Sequence, residues 1–467
     1  MIPVITASKV YSVLGNNNSL VPLAIKDVAN SAGVTAGSYV TGNEAEGEDR
    51  FIDEFGTQAI WLFGIPVYKK LMDLALFKLM GYDHKIDVRV LKNKDIFEKA
   101  KEFAYNDKIK SAFDKVGKNQ KTFKGLTFAK FALSTLLTIG TYGALTHYRH
   151  KHTEENIRKS ILAEHNAKKA QQTNKTSINT FTPVIEKPQA FKNVSVDKKE
   201  DEKAKDREQI PFKGVLSEFM FSPVKNLMIL DGAITIERFA TSRSLQDFLG
   251  YAVKEGSIWM FMYFAGAKIE KYLEKKSETK HNKSIDLDAR VIESDELRKA
   301  FHDNSLKKSI DAFANCKTDV EIYEFINKNP DNFIVQMAKK SEIVKTKAAN
   351  ENFFIKIARR TGMMPLLQEG DKVDTRAYID IDEFKGVAKK LEKLHTQYEN
   401  SGETLDKFLK GVKKLKRASV LKNIGSCIMA LGVITPAIMV GLRYLREDKE
   451  FQVRDRIEKE MKLRGEI

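Results

Sequence analysis

Few residues in this chain have the types and spacing that do chemistry. "HYRHKH" puts His147 and His150 one helical turn apart, with His152 just beyond, a spacing that suits two imidazoles on one metal. No further ligand stands nearby, so the cluster is expected to be a cationic border to the apolar stretch before it. "DKVDTRAYIDIDEF", Asp371 to Phe384, invites a calcium-loop reading. In that register Lys372 would be the first ligand and Ala377 would replace the required glycine, so the loop fails. Asp380 or Asp382 is expected to cap a helix instead. "GVTAGSYVTG", Gly33 to Gly42, lacks the Gly-Lys-Ser/Thr of a phosphate loop and is expected to be a turn region. GxSxG and HExxH do not occur, and Cys316 and Cys427 form no CxxC. No catalytic residue, cofactor or metal is therefore expected. An enzyme with an unrecognised site stays as an alternative.

The elements that would position any site are helices. In 467 residues, 42% hydrophobic and 30% charged, there are only 10 prolines and little β-branched alternation. The expectation is an all-α protein. The first residues, MIPVITASKVYSVLG, offer no charged segment followed by a long apolar one, so no secretory signal is expected.

Two stretches match a bilayer. Asn423 to Leu442 is 20 residues without a charge, between Lys422 and Arg443. Its Pro436 is tolerable in a membrane helix. Phe131 to Tyr148 is 18 residues without Lys, Arg, Asp or Glu, between Lys130 and Arg149. Two shorter runs carry the only tryptophans, Trp61 and Trp259, each in an Ile-Trp-apolar-Phe context. They are too short to span and suit a core or an interface.

The tryptophans suggest a tandem duplication. They lie 198 residues apart, and the same offset pairs Phe103 with Phe301 and Asn106 with Asn304. Arg50 and Arg243 each open an Arg-x-aliphatic-x-acid-Phe motif, and Ile86-Asp87 is set against Ile285-Asp286. Trp61, Trp259, Arg50, Arg243, Asp87 and Asp286 are thus the expected repeat-matched anchors. Arg50 with Glu54 and Arg243 with Asp247 have the four-residue spacing of pairs within one helix.

The expected organisation is a first helical repeat over 1–160, a flexible polar linker over 161–213 and the start of a second repeat over 214–310. A soluble helical insertion over 311–417 and a membrane helix with a charged tail over 418–467 follow. In the insertion, Thr318 and Glu321 have the spacing of a capping box.

The formal net charge of +16 is concentrated before the two apolar helices: +6 over 99–130 and +5 over 403–422. Lys121, Lys124, Lys130, Arg149, Lys416, Arg417, Lys422 and Arg443 are expected at the membrane interface, with the bilayer and its anionic headgroups as partner. No nucleic acid is expected. The function that follows is a membrane-anchored structural or scaffold protein with its soluble helices in the cytoplasm. The alternative is a small-solute transporter or channel between two pseudo-symmetric repeats. A polar cavity between the Trp helices would favour transport, and a filled apolar core there would sink it.

Overall fold

A computed structural model describes residues 7–15, 20–41, 44–173, 220–242, 245–346, 372–445 and 452–467. The linker lies outside the described residues beyond Thr173, and so do Arg243 and the side chain of Arg443. The all-α expectation holds. Among the described residues the only extended pairing is one bridge between Thr346 and Val373.

The first half runs through α1 (Ala7–Leu14), α2 (Val21–Thr41), α3 (Glu44–Met72), α4 (Lys94–Glu102), α5 (Asp107–Lys118) and α6 (Gln120–Thr173). The last is one helix of 54 residues, about 80 Å long, with no break at either end of its apolar section. The second half runs through α7 (Pro223–Ala240), α8 (Leu245–Ile258), α9 (Gly266–His281), α10 (Ala289–Ile292), α11 (Asp295–His302) and α12 (Ser305–Ala314). It continues with α13 (Asp319–Lys328), α14 (Phe333–Lys340), α15 (Ile381–Glu399), α16 (Leu405–Met429), α17 (Thr435–Leu445) and α18 (Gln452–Leu463). Single π-helical turns follow α3 at Asp73–Lys78, join α8 to α9 at Trp259–Ala265, and join α16 to α17 at Ala430–Ile434.

Helices α2, α3, α6, α7, α8, α16 and α17 pack as a bundle. Two helices are long and apolar enough to cross a membrane, over Gln120–Ala170 and Leu405–Leu442. Pro436 fits because the helix widens to a π turn just before it, and the Thr435 hydroxyl donates to the Ala430 carbonyl. Proline has no N–H, so the Gly432 carbonyl lacks its usual donor four residues on. Gly33 of α2 lies against that oxygen: a Cβ there would overlap it and come within 2.7 Å of Pro436 Cγ. The Gly33–Gly42 stretch is thus not a turn region up to Thr41. It is the last part of α2, and glycine is needed for close helix approach.

The other region is a lobe with one apolar core. Phe97, Phe113, Phe123, Ile326, Phe384, Leu391 and Phe408 are buried in it together. The helices expected as an insertion, α13 to α15, share this core with α4 and α5 of the first half. Helix starts follow their caps. Thr318 and Glu321 form the capping box of α13, and Asp380 accepts from the Asp382 and Glu383 amides at the start of α15.

Three loops of the lobe repeat one local structure. Asp87, Asp288 and Asp374 each accept from the backbone N–H two residues on, and each binds the side chain of that residue, Arg89, Arg290 or Arg376, through Nε and Nη2. Six residues after each aspartate stands the N-cap of a helix: Asn93 for α4, Ser294 for α11, Asp380 for α15. The first and third loops are joined by the Asp87 N–H donating to the Arg376 carbonyl at 2.8 Å. Asp87 thus shares its local structure with Asp288 and Asp374, whereas the expected anchor Asp286 accepts from the Ser284 hydroxyl.

Candidate functional site

Charged side chains fill the middle of the bundle. Asp53 of α3 is 1% exposed and is approached by three arginines from three helices. Arg149 Nη1 of α6 lies at 2.9 Å, Arg238 Nη2 of α7 at 3.3 Å and Arg50 Nη1 of its own helix at 3.9 Å. The Tyr142 and Tyr251 hydroxyls point to the same carboxylate at 3.4 and 3.5 Å. Arg50 also donates to Asp247 of α8 at 2.6 Å and stacks over the Tyr251 ring. Arg149 donates to the Tyr251 hydroxyl, with Asp49 at 3.8 Å. Buried charges are tolerated only in such mutual pairing, because each unpaired one costs several kcal/mol of lost solvation.

Next to this network lies a small cavity between α2–α3 and α7–α8. Asp27, Ser31, Glu54, Thr57, Trp61, Asp231, Ile234, Arg238, Lys254, Glu255 and Ile258 line it, and it holds about 20 Å³. Lys254 Nζ is 2.7 Å from Glu54, whose other oxygen accepts from the Ser31 hydroxyl. Arg238 is paired to Glu255, which also accepts from the Thr235 hydroxyl. Four carboxylates face two cations. Asp231 accepts from the Tyr263 hydroxyl, and Asp27 has no hydrogen-bond partner among the described residues. Trp61 is 3% exposed and its indole N–H has no hydrogen-bond partner among the described residues.

The first helices of the two hairpins carry the same short pattern. Asp27 precedes Ser31 on α2 by four residues, and Asp231 precedes Thr235 on α7 by four. That puts carboxylate and hydroxyl on one face, and both pairs are at or beside the cavity.

The expected site residues fall as follows. Arg50 belongs to the network, but its partners are Asp53 and Asp247, and Glu54 pairs with Lys254, so the expected Arg50–Glu54 pair within the helix does not form. Trp61 is in the bundle core beside the cavity. Trp259 is half-buried at the π turn, with its N–H on the Thr235 hydroxyl at 3.3 Å. The two indoles have different surroundings. Asp87 and Asp286 are in the lobe, away from the network.

Of the expected interface cations, two are interior groups. Arg149 is 1% exposed, and Lys416 is 3% exposed with Nζ on the Ile285 carbonyl and near Glu270 and Glu274. Arg149 meets the buried Asp53 and Asp49, and Lys416 the half-buried Glu270 and Glu274, which flanking position in the sequence does not reveal. Arg417 holds Glu293 through two bonds of 2.7 Å, and Lys130 pairs with Asp73. Lys121 and Lys422 are exposed and Lys124 is half-buried. His147 is exposed, His150 contacts Arg149 and His152 faces Glu48, and no metal-binding group occurs among the described residues.

Arg238, Lys254, Glu255, Asp27 and Asp231 were missed. For Asp231, Arg238, Lys254 and Glu255 the signal was present as charges inside otherwise apolar stretches, "MILDGAITIERFA" and "GYAVKEGSIW", and for Asp27 as the charge pair in "LAIKDVAN". Comparison of the chain with protein-family models, with curated proteins and with solved structures finds no match.

Proposed function

We propose that this chain is an integral membrane protein whose bundle moves a small charged solute through the site between its two helix hairpins. The observation that carries this is the set of charged groups around Asp53 and the adjoining cavity, inside helices whose outer faces are apolar. Ionisable groups at membrane depth are costly and usually mark ion or substrate paths. Phe63, Val67 and Leu71 of α3, Leu133, Leu136 and Leu137 of α6, and Val433 and Ile438 near and on α17 are all exposed. A bilayer is the medium that would cover them. Lys121 and Lys422 would meet anionic headgroups, and the lobe would lie in the cytoplasm.

A tandem duplication would support the same reading. Two helix hairpins, α2–α3 and α7–α8, each lead to an Asp-x-Arg loop and a helix with a side-chain cap, and each half ends in one of the two long apolar helices. Parallel repeats place sites at the repeat interface in many transporters.

Full-length protein in liposomes, with a valinomycin-set potassium potential, should carry proton or sodium flux above that of empty liposomes, and Arg238→Gln should lower it. Flux equal to that of empty liposomes for both ions would overturn transport. The second reading is a membrane-anchored scaffold. It is favoured by the close ion pairing around Asp53, which would simply hold the bundle while the lobe meets partners. Carbonate extraction tests what both readings share: release of the chain from membranes would overturn both.

A further inference from the structure

We infer that the cavity between the hairpins is a proton-exchange site in which Asp27 and Asp231 carry the proton. This rests on the transport reading of the same site and names its ion. The lining is the argument. Lys254 is paired with Glu54 and Arg238 with Glu255, so both cations of the cavity wall are already matched to a carboxylate. Asp27 and Asp231 are left over, one from each hairpin, each four residues before a hydroxyl residue.

Asp27 and Asp231 are half-buried at this wall, and there an ionised carboxylate without its own cation is costly, whereas the protonated acid is not. Protonation is thus the neutralisation that this wall allows. Around Asp27 the charged groups are Lys254, Glu54, Arg238 and Glu255. Around Asp231 they are the Tyr263 hydroxyl, Asp27, Glu255 and Arg238.

The second observation is Trp61. It lines the cavity, and its buried indole N–H has no acceptor among the described residues. A cavity of about 20 Å³ has room for roughly one water. A water there can accept from the Trp61 N–H and lie between the two acids. The exchange balances as follows. The acid O–H of Asp27 gives its proton to the water oxygen, and the water gives one of its own protons to the Asp231 carboxylate. One O–H bond breaks as each new one forms, Asp27 becomes the carboxylate, and the water is regenerated. The Tyr263 hydroxyl, which donates to Asp231, then has to turn or share its bond when Asp231 becomes the acid.

The test is infrared difference spectroscopy of the full-length protein in detergent, stepped in pH. A carbonyl stretch of a protonated carboxylic acid should appear and vanish reversibly. The component from the replaced acid should vanish in Asp27→Asn and in Asp231→Asn, leaving one band at the frequency of the remaining acid, and the band should be absent in the double variant. Trp61→Phe keeps the ring and removes the donor. It should keep the band but slow its isotope shift after transfer to heavy water. A wild-type protein without the band, or a band unchanged in both aspartate variants, would overturn the proposal. So would a band that responds to sodium at fixed pH and not to pH, which would assign the site to an alkali cation. If liposome flux is found but the band is not, transport stands and the proton assignment falls. If the band is found without flux, the proton site stands and transport falls.

Discussion

The bundle and the lobe are built inside-out relative to each other. In the bundle, Arg50, Asp53, Glu54, Arg149, Arg238, Lys254 and Glu255 are buried, while Leu71, Leu74, Leu136, Met429 and Val433 are exposed. In the lobe, Phe113, Phe123, Ile334, Phe384 and Leu391 are buried. None of the described residues of 82–132 or 273–420 appears among the strongly exposed large apolar side chains. One chain thus carries two opposite surface patterns, as it would if lipid covered the bundle and water the lobe. Where water surrounds the fold, burial of apolar surface drives packing. Where the outside is apolar, that drive is absent, and close packing with polar pairing must hold the helices. Gly33 against Gly432 supplies the first, and Asp53 with its three arginines supplies the second.

The contrast can be broken most sharply at Arg149. Arg149→Ala leaves Asp53 and Asp49 short of a cation and should cost the bundle about 3–5 kcal/mol. Its thermal unfolding in detergent should fall, with the lobe unaffected. The lobe has the opposite sensitivity: Phe113→Ala should cost it about 3–5 kcal/mol as an apolar truncation, whereas Leu136→Ala on the bundle exterior should stay within about 0.5 kcal/mol. Equal effects of these two truncations would refute the inside-out arrangement.

Leu136→Arg sharpens the comparison. A charge at that exposed position should raise the cost of membrane insertion by about 2.5–3.5 kcal/mol and lower the membrane-bound fraction on carbonate extraction. Insertion unchanged by this variant would mean that α6 does not meet lipid there. Gly33→Ala should weaken the contact of α2 with the α16–α17 helix by about 1–3 kcal/mol, because neither backbone can yield easily. Size-exclusion profiles and proteolysis of the bundle would report it.

The smallest effect expected is in the lobe, at Glu383. The side chain is exposed, but partial desolvation by the surrounding protein first, then the nearby Asp380 carboxylate, pushes its acid above the ordinary glutamate value of 4.5. The folded lobe therefore holds this proton more tightly than the unfolded chain. Its contribution is full below the ordinary value and is lost as pH rises through the raised one. Glu383→Gln should flatten that slope, by less than about 1 kcal/mol, in pH-dependent thermal unfolding. A steeper slope in the variant would reverse the assigned sign.

Much of the local structure could be read directly from residue order. The capping box of Thr318 and Glu321, the cap at Asp380 and the two long apolar helices are all in place. These depend on neighbours within one turn or on uninterrupted composition. The Asp-x-Arg pattern stands openly in "DVRVLKN", "DARVIES" and "DTRAYID". That the three share one local structure shows only in the hydrogen bonds, because the pattern by itself does not say which aspartates accept from the arginine two residues on. The glycines of α2 misled because a Gly-rich segment looks the same whether it turns or lets another helix approach.

Sequence alone determined that the chain is helical, where two helices of the lobe start, and that two of its helices could cross a bilayer. Each of these is set by local chemistry, through caps, spacing or a run of uncharged side chains. Only the tertiary structure decided which charges meet. Arg50 reaches Asp247 across 197 residues of chain, and Arg149 and Arg238 converge on Asp53 from different helices. Spacing reports which face of its own helix a charge occupies. Its partner is chosen by which helices pack together, and in a low-dielectric interior that choice separates an interface cation from a buried one.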